Sequence, residues 1–347
     1  MKLARIGCII LFSVFNIANV ACAGDAWVPQ TSGTEVELRG LSVVSPKIAW
    51  ASGAKATVLR TTDGERWQVM EVAGAEGLDF RDIHAFDAKH AIIMSAGPGA
   101  LSRLYETRDG GSSWQLLKTN EAKTGFWDAI SFSSTKQGIL FGDPVDGQFQ
   151  IFVTADGGLN WLENKHPGLT ALPNEGAFAA SGTCVATYGS QHAWIVTGGA
   201  SQARAYASAD GGISWSAATL PLPAAVASKG AFSVAFLDEK NGMAVGGDYK
   251  LPQLNSLNGA RTEDGGQTWQ PAQVLPQGFL SVIATVPGAA KTYVAAGLAG
   301  SGISHDAGKT WKVLDKTPVN TVAFANAKNG WAVGPKGLLM KFNDGLK

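Results

Sequence analysis

The sequence predicts an all-β protein, a seven-bladed β-propeller of four-stranded blades. Three observations predict it: a short turn motif recurs along the chain, a glycine-ended strand recurs in step with it, and the two chain ends each hold part of one repeat.

The turn motif appears six times in full: Thr61-Thr-Asp-Gly-Glu-Arg-Trp67, Thr107-Arg-Asp-Gly-Gly-Ser-Ser-Trp114, Thr154-Ala-Asp-Gly-Gly-Leu-Asn-Trp161, Ser208-Ala-Asp-Gly-Gly-Ile-Ser-Trp215, Thr262-Glu-Asp-Gly-Gly-Gln-Thr-Trp269 and Ser304-His-Asp-Ala-Gly-Lys-Thr-Trp311. A seventh stops at Asp344-Gly345. The gaps between the aspartates Asp63, Asp109, Asp156, Asp210, Asp264, Asp306 and Asp344 are 46, 47, 54, 54, 42 and 38 residues, which suits one four-stranded blade per repeat. The carboxylate can accept backbone N–H bonds, glycine permits positive φ, and tryptophan seals the turn against the blade. The seven aspartates therefore read as structural. The first motif is one residue short, so its turn should be tighter, and the sixth has Ala307 where glycine is usual.

Upstream of each turn lies an apolar strand running into a glycine loop: Ile48 to Gly53, His90 to Gly97, Gly138 to Gly142, His192 to Gly198, Asn241 to Gly246, Thr292 to Gly297 and Asn329 to Gly334. About seven residues earlier comes a further apolar strand, clearest at Phe80 to Phe86, Phe126 to Phe132, Phe232 to Phe236 and Val319 to Phe324. Each repeat thus reads strand, turn, strand, glycine loop, strand, aspartate turn, strand. The last repeat lacks its tryptophan and outer strand, and Ala26-Trp27-Val28 is a strand without a turn before it. The N-terminal strand should therefore complete the seventh blade, with Trp27 in the place of the missing tryptophan.

Two positive charges in the first five residues, an apolar run from Ile6 to Val20 and the small triplet Ala21-Cys22-Ala23 read as a secretory signal over 1–23, with the propeller over 24–347. The run is too short to span a bilayer, and Asn19 makes Cys22 a poor lipidation site, so an exported periplasmic or extracellular monomer is expected. With Cys8 and Cys22 removed, Cys184 is the only thiol and no intrachain disulfide can form. Lys plus Arg balances Asp plus Glu at 28 each, which gives no basis for nucleic-acid or anionic-membrane binding. His84, His90, His166, His192 and His305 show no metal-ligand spacing, and no phosphate or dinucleotide motif is present, so neither metal nor cofactor is expected.

These turns, paired with Gly-Trp-Ala-Val-Gly elements such as Gly330 to Gly334, resemble the bacterial neuraminidase (BNR, Asp-box) repeat superfamily, and most closely the photosystem II stability and assembly factor-like proteins. Strings such as Gly142-Asp-Pro-Val-Asp-Gly147, Glu175 to Cys184 and Val245 to Tyr249 are similar to a bacterial subgroup of it, sometimes labelled glycosyl hydrolase or oxidoreductase. The resemblance implies a non-catalytic binding or assembly factor for a protein or glycan partner. Sialidases and other glycosidases share the repeats, so glycoside hydrolysis is the alternative it implies.

Strand alternation puts the aspartate turns at one end and the glycine loops at the other, and a ligand site is expected at the second. Alignment on the terminal apolar residue of each inner strand places Asp82 with Asp128, then with Arg39, Thr183, Phe232 and Asn320, near the channel mouth. The glycine loops add Arg103, Asp143, Asp146, Arg204, Asp248, Tyr249 and Lys250, and the long connection before blade 4 adds Glu175. Asp143 and Asp146 also suit Asx turns, and Asp82 and Asp128 suit strand caps; the functional alternative is a mixed-charge cup for a sugar, peptide or metal ion. A sialidase would need an arginine cluster and a glutamate-activated tyrosine. Arg60, Arg66, Arg108 and Arg261 fall at the aspartate-turn end, leaving Arg39, Arg81, Arg103 and Arg204. A two-carboxylate glycosidase could draw on Asp82, Asp128, Asp143, Asp146, Asp248 or Glu175.

Overall fold

A computed structural model describes residues 26–343. The expected signal segment, Cys22 and Asp344 lie outside the described residues. Among the described residues there are seven antiparallel four-stranded sheets, and helix is limited to three short 3-10 turns. The inner strands of blades 1 to 7 are Leu38–Val43, Phe80–Ala85, Trp127–Phe132, Val185–Tyr188, Lys229–Phe236, Val282–Thr285 and Thr321–Asn326.

Burial explains the composition of each strand. The second strand of blade 1, Ala49–Gly53, is buried at every residue because neighbouring blades cover both its faces. Its outer strand, Gln68–Glu71, buries only Met70. Continuous apolar runs therefore mark the middle of a blade, and polar strands its rim.

Tryptophans on the second strands join consecutive blades. Trp50 of blade 1 meets Trp114 of blade 2 edge-on at 6.4 Å and donates its indole N–H to the Asp87 carbonyl, 3.0 Å away. Trp194 of blade 4 stacks on Phe236 of blade 5 at 3.5 Å and donates to the Gly265 carbonyl. Trp331 of blade 7 meets Trp67 of blade 1 at 6.3 Å. The same contact that links neighbours along the chain thus also links its last blade to its first.

The ring closes as the chain ends predict. Trp27–Pro29 forms the fourth strand of blade 7, pairing Trp27 with Phe342, Val28 with Lys341 and Pro29 with Met340. Phe342 stands two residues before Asp344, as Thr61 stands before Asp63, so Trp27 occupies the register of a turn tryptophan. It is 1% exposed and packs edge-on against Phe342 at 5.1 Å. Its indole donates to Ser301 Oγ of blade 6, whereas Trp215, Trp269 and Trp311 donate to glycine carbonyls in their own turns. Gln30, the residue after this strand, accepts from both Trp67 Nε1 at 2.9 Å and Trp331 Nε1 at 3.1 Å. One side-chain oxygen therefore holds the seam between blades 7 and 1.

The aspartate turns have one hydrogen-bond plan. In the second, Asp109 Oδ1 accepts the Thr107 hydroxyl and the Ser113 backbone N–H, while Oδ2 accepts the Ser113 hydroxyl. Asp156, Asp210, Asp264 and Asp306 repeat this plan with their own neighbours. Five described turns hold two successive residues at positive φ, and in the sixth one of these is Ala307 at +62°, where a Cβ costs about 1–2 kcal/mol. The short first turn keeps only Gly64 there, and its Asp63 Oδ1 accepts from Glu65 and Arg66 N–H.

Replacing Trp27 with Ala should cost about 3–5 kcal/mol, read as a lower denaturant midpoint; an unchanged midpoint would show that the ring does not depend on this strand. The turns also predict acid sensitivity. The Ser113 hydroxyl and N–H hold the Asp109 carboxyl down to about 2; at Asp306 burial opposes the shift, but the Thr310 hydroxyl and N–H still bring it to about 2. Both lie below the ordinary value of 3.8, so their contribution is complete above that pH and is lost as pH falls towards 2. A denaturant series across that window should give a shallower loss for Asp109→Asn than for the unaltered protein.

Candidate functional site at the channel mouth

Register shifts at the start of the inner strands create the site. Arg39, Arg81, Asp128 and Phe232 are each the extra residue of a β-bulge, between Leu38 and Gly40, Phe80 and Asp82, Trp127 and Ala129, and Ala231 and Ser233. A bulge re-aims its extra side chain, and all four line one cavity of about 560 Å³ over the channel. Ser281 and Asn320 fill the equivalent places of blades 6 and 7 and line it too.

This register corrects the alignment of Asp82 with Asp128. Ala85 pairs with Ala91 and Phe132 with Gly138, and both partners pair onward with the first threonine of an aspartate turn. Phe86 lies one residue beyond its strand, so alignment on it runs one position late, and Arg81 is the true equivalent of Asp128. Asp82 matches Ser233 instead. Asp82 Oδ2 accepts the Ile130 N–H of blade 3, as Ser233 Oγ accepts the Ile283 N–H of blade 6. Asp82 is thus a buried bracket between blades, and burial pushes its carboxyl up to about 8 against two backbone N–H bonds.

The floor of the cavity is a plug, residues 176–182 of the long connection before blade 4. Gly176 exchanges two backbone hydrogen bonds with Gly198 of blade 4, and the Ala177 N–H donates to Asp143 Oδ1 of blade 3. Phe178 stacks on Phe232 of blade 5 with ring centroids 3.7 Å apart. The carbonyls of Ala179 and Ala180 accept from Arg81 and Arg39, each at 3.2 Å, and the Ser181 hydroxyl donates to Ser281 O of blade 6. Gly182, at φ +72°, passes so close to Asp82 that a Cβ would strike the carboxylate.

The cavity has two unlike walls. Blades 1 to 3 supply Arg39, Arg81, Asp128 and Asp143. Blades 5 and 6 and the plug supply Phe178, Phe232, Tyr249 and Phe279. Arg39 pairs with Glu37 at 2.8 Å and Arg81 with Asp79 at 2.7 Å, each partner two residues earlier in sequence. Burial, then the Arg81 charge, lowers the Arg39 pKa. Burial and then the neighbouring Asp143 charge raise Asp128 well above the carboxylate range, although Arg81 and the Asp143 and Ala179 N–H groups pull it down. Burial raises Asp143 to about 6. Beneath them Cys184 is a buried free thiol, its pKa pushed up by burial and by these carboxylates.

Among the nine ligand candidates, Asp128, Asp143 and Tyr249 share this cavity, and Asp82 is sealed under the plug. Glu175 and Arg204 are spent on each other: Glu175 Oε1 accepts Arg204 Nε, Thr197 Oγ1 and the Tyr206 hydroxyl, and Oε2 accepts Arg204 Nη2 and the Leu172 N–H. Arg103 sits on a third strand with its guanidinium on Ala100 O and Tyr105. Asp146 occupies a left-handed hairpin tip, and Asp248 accepts the Lys250 N–H in a local turn. Tyr206 and Glu175 do form a tyrosine–glutamate pair, but burial and the adjacent carboxylate raise the phenol, opposite to what a sialidase nucleophile needs. Sequence reasoning missed Phe178 and Phe279, and although it kept Arg81 among the arginines of the glycine-loop end it did not place it at the channel mouth. The recurrence of acid, any residue, arginine at Glu37 to Arg39 and Asp79 to Arg81 was the available signal for the last.

No protein-family profile matches the chain, and no curated protein matches it in sequence. Solved structures do. YCF48 bound to D1 peptide superposes with a TM-score of 0.65 at 17% identity, over 93% of this chain and 97% of that one. YCF48 from Cyanidioschyzon merolae gives 0.63 at 18%, over 92% and 99%. An ancestral GH74 enzyme gives 0.64 at 14%, over 92% of this chain but 46% of its own. What they share with this chain is the fold.

Substituting Gly182 with Ala should destabilise the protein by about 1–3 kcal/mol, because the new methyl strikes Asp82. Gly189→Ala is the control: φ there is also positive, at +56°, but no atom lies within 4 Å of the added carbon. Equal losses in chemical denaturation would show that backbone strain, and not the fit of the plug, sets the effect.

Proposed function

We propose that this is an exported, non-catalytic binding or assembly factor that takes a segment of another protein on the glycine-loop face. The observation that carries the reading is the two-walled cavity at the plugged channel mouth. Rigid strands present arginines on one side and aromatic rings on the other, the residue types enriched at the centres of protein interfaces. Tyr249 is 45% exposed, and Leu251 and Leu254 beside it are exposed too, extending the apolar wall onto the surface. Two further supports are the sequence resemblance to photosystem II assembly factor-like proteins and the likeness to YCF48, a propeller solved with a bound peptide.

Asp128 and Asp143 favour a second reading, glycoside hydrolysis, because two carboxyls with raised pKa values line one cavity and a GH74 enzyme shares the fold.

One set of variants separates the two. Affinity capture from a periplasmic extract should enrich a single protein, with about tenfold or greater loss on Tyr249→Ala or Arg81→Ala and no loss on Leu159→Ser at the aspartate-turn end. Hydrolysis of aryl glycosides that disappears with Asp143→Asn would replace the binding reading with the enzymatic one.

A further inference from the structure

The charges of the cavity are not evenly answered. Arg39 and Arg81 each hold an acid two residues earlier in sequence, just before the strand, and a carbonyl of the plug. Asp128 and Asp143 have no salt-bridge partner among the described residues. Asp128 is 1% exposed, and its Oδ2 has no hydrogen-bond partner. A buried carboxylate oxygen left in this state is costly, and a donor carrying positive charge would remove the cost. Asp143 already receives the Ala177 N–H on Oδ1, which fixes its position beside Asp128.

The identity of that donor follows from what surrounds the pair. Among the described residues no three His, Cys, Asp or Glu side chains are grouped to hold a metal ion, so a divalent cation here would rest on the two carboxylates and keep most of its waters. Across the cavity stand Phe178, Phe232 and Tyr249, suited to the aliphatic arm of an organic cation and, through their ring faces, to its charge. Any third cation meets the repulsion that Arg39 and Arg81 already exert on each other, and a guanidinium adds to it a broad planar fork whose bidentate geometry needs two free oxygens of one carboxylate, whereas Asp143 Oδ1 is already taken by Ala177. A primary ammonium is compact and offers three donors.

We propose that Asp128 and Asp143 form a subsite for a primary ammonium group of the bound segment, either a lysine side chain or a chain N-terminus. The subsite rests on the reading of this face as the binding face and adds the chemistry that anchors the ligand there. When the ammonium enters, the proton held by the carboxyl pair leaves to solvent, and one ion pair replaces one protonated acid. The groups facing the pair are Arg81 and Arg39 with their partners Asp79 and Glu37, Asp82 and Cys184 below, and Tyr249 across the cavity. Asp143 loses its proton near pH 6, and the Asp128 carboxyl, raised well above the ordinary value, keeps its own until the ammonium displaces it, so affinity should rise as pH increases from about 5.5.

Calorimetric titration of the mature protein tests this with three probes: N-acetyl-lysine methylamide, alanyl-alanine amide with its free N-terminus, and N-acetyl-norleucine methylamide, which matches the first without the charge. One ammonium probe should bind about tenfold or more tightly than the norleucine probe, and which one does so identifies the source. Its heat should vary with the ionisation enthalpy of the buffer, reporting proton release. Asp143→Asn keeps the acceptor for Ala177 and should weaken binding about tenfold with an unchanged near-ultraviolet circular dichroism spectrum. Equal binding of the lysine and norleucine probes, full affinity in the folded Asp143→Asn variant, or displacement of the amine by about 1 mM calcium would overturn the subsite. If both ammonium probes fail while partner capture and its dependence on Tyr249 persist, the subsite falls and the binding face stands. If capture fails as well, both fall.

Discussion

Everything in this ring depends on three residues of the N-terminal strand pairing with the last strand of the chain. A propeller blade buries its middle strands only when a neighbour covers each face, so an open seventh blade would leave Trp331 and its surroundings exposed. Trp27 supplies the packing, its ladder to Phe342 supplies the register, and Gln30 ties Trp331 of the last blade to Trp67 of the first. Cys184 is a free buried thiol, and among the described residues this closure is made by burial and hydrogen bonds.

A closed ring leaves its channel as a problem of solvation. The inner strands begin with backbone and polar side chains pointing at the axis, and the plug meets them with its own carbonyls and N–H groups. That arrangement explains the mixed character of the mouth. The same bulges that re-aim Arg39, Arg81, Asp128 and Phe232 supply the groups that fasten the plug and the groups that remain for a ligand. The described aspartate turns at the other end hold their carboxylates in hydrogen bonds within each turn.

Most of the fold was legible because it repeats. Aspartate, glycine and tryptophan at fixed spacing specify a turn locally, and seven copies specify seven blades. The site was legible only in part. Asp143, Tyr249 and Asp128 were found from strand alternation, whereas Asp82 was placed one position off because Phe86 lies beyond its strand. The pairing of Glu175 with Arg204 could not be read, since 29 residues and a change of direction separate them.

The sequence by itself determined the blade count, the turn at each of the six described aspartates and the completion of blade 7 by Trp27, because each follows from local hydrogen bonding and an apolar pattern repeated along the chain. The tertiary structure alone decided which polar groups meet over the channel. Those meetings depend on one-residue bulges and on an irregular segment crossing the axis, and neither leaves a periodic trace in the chain.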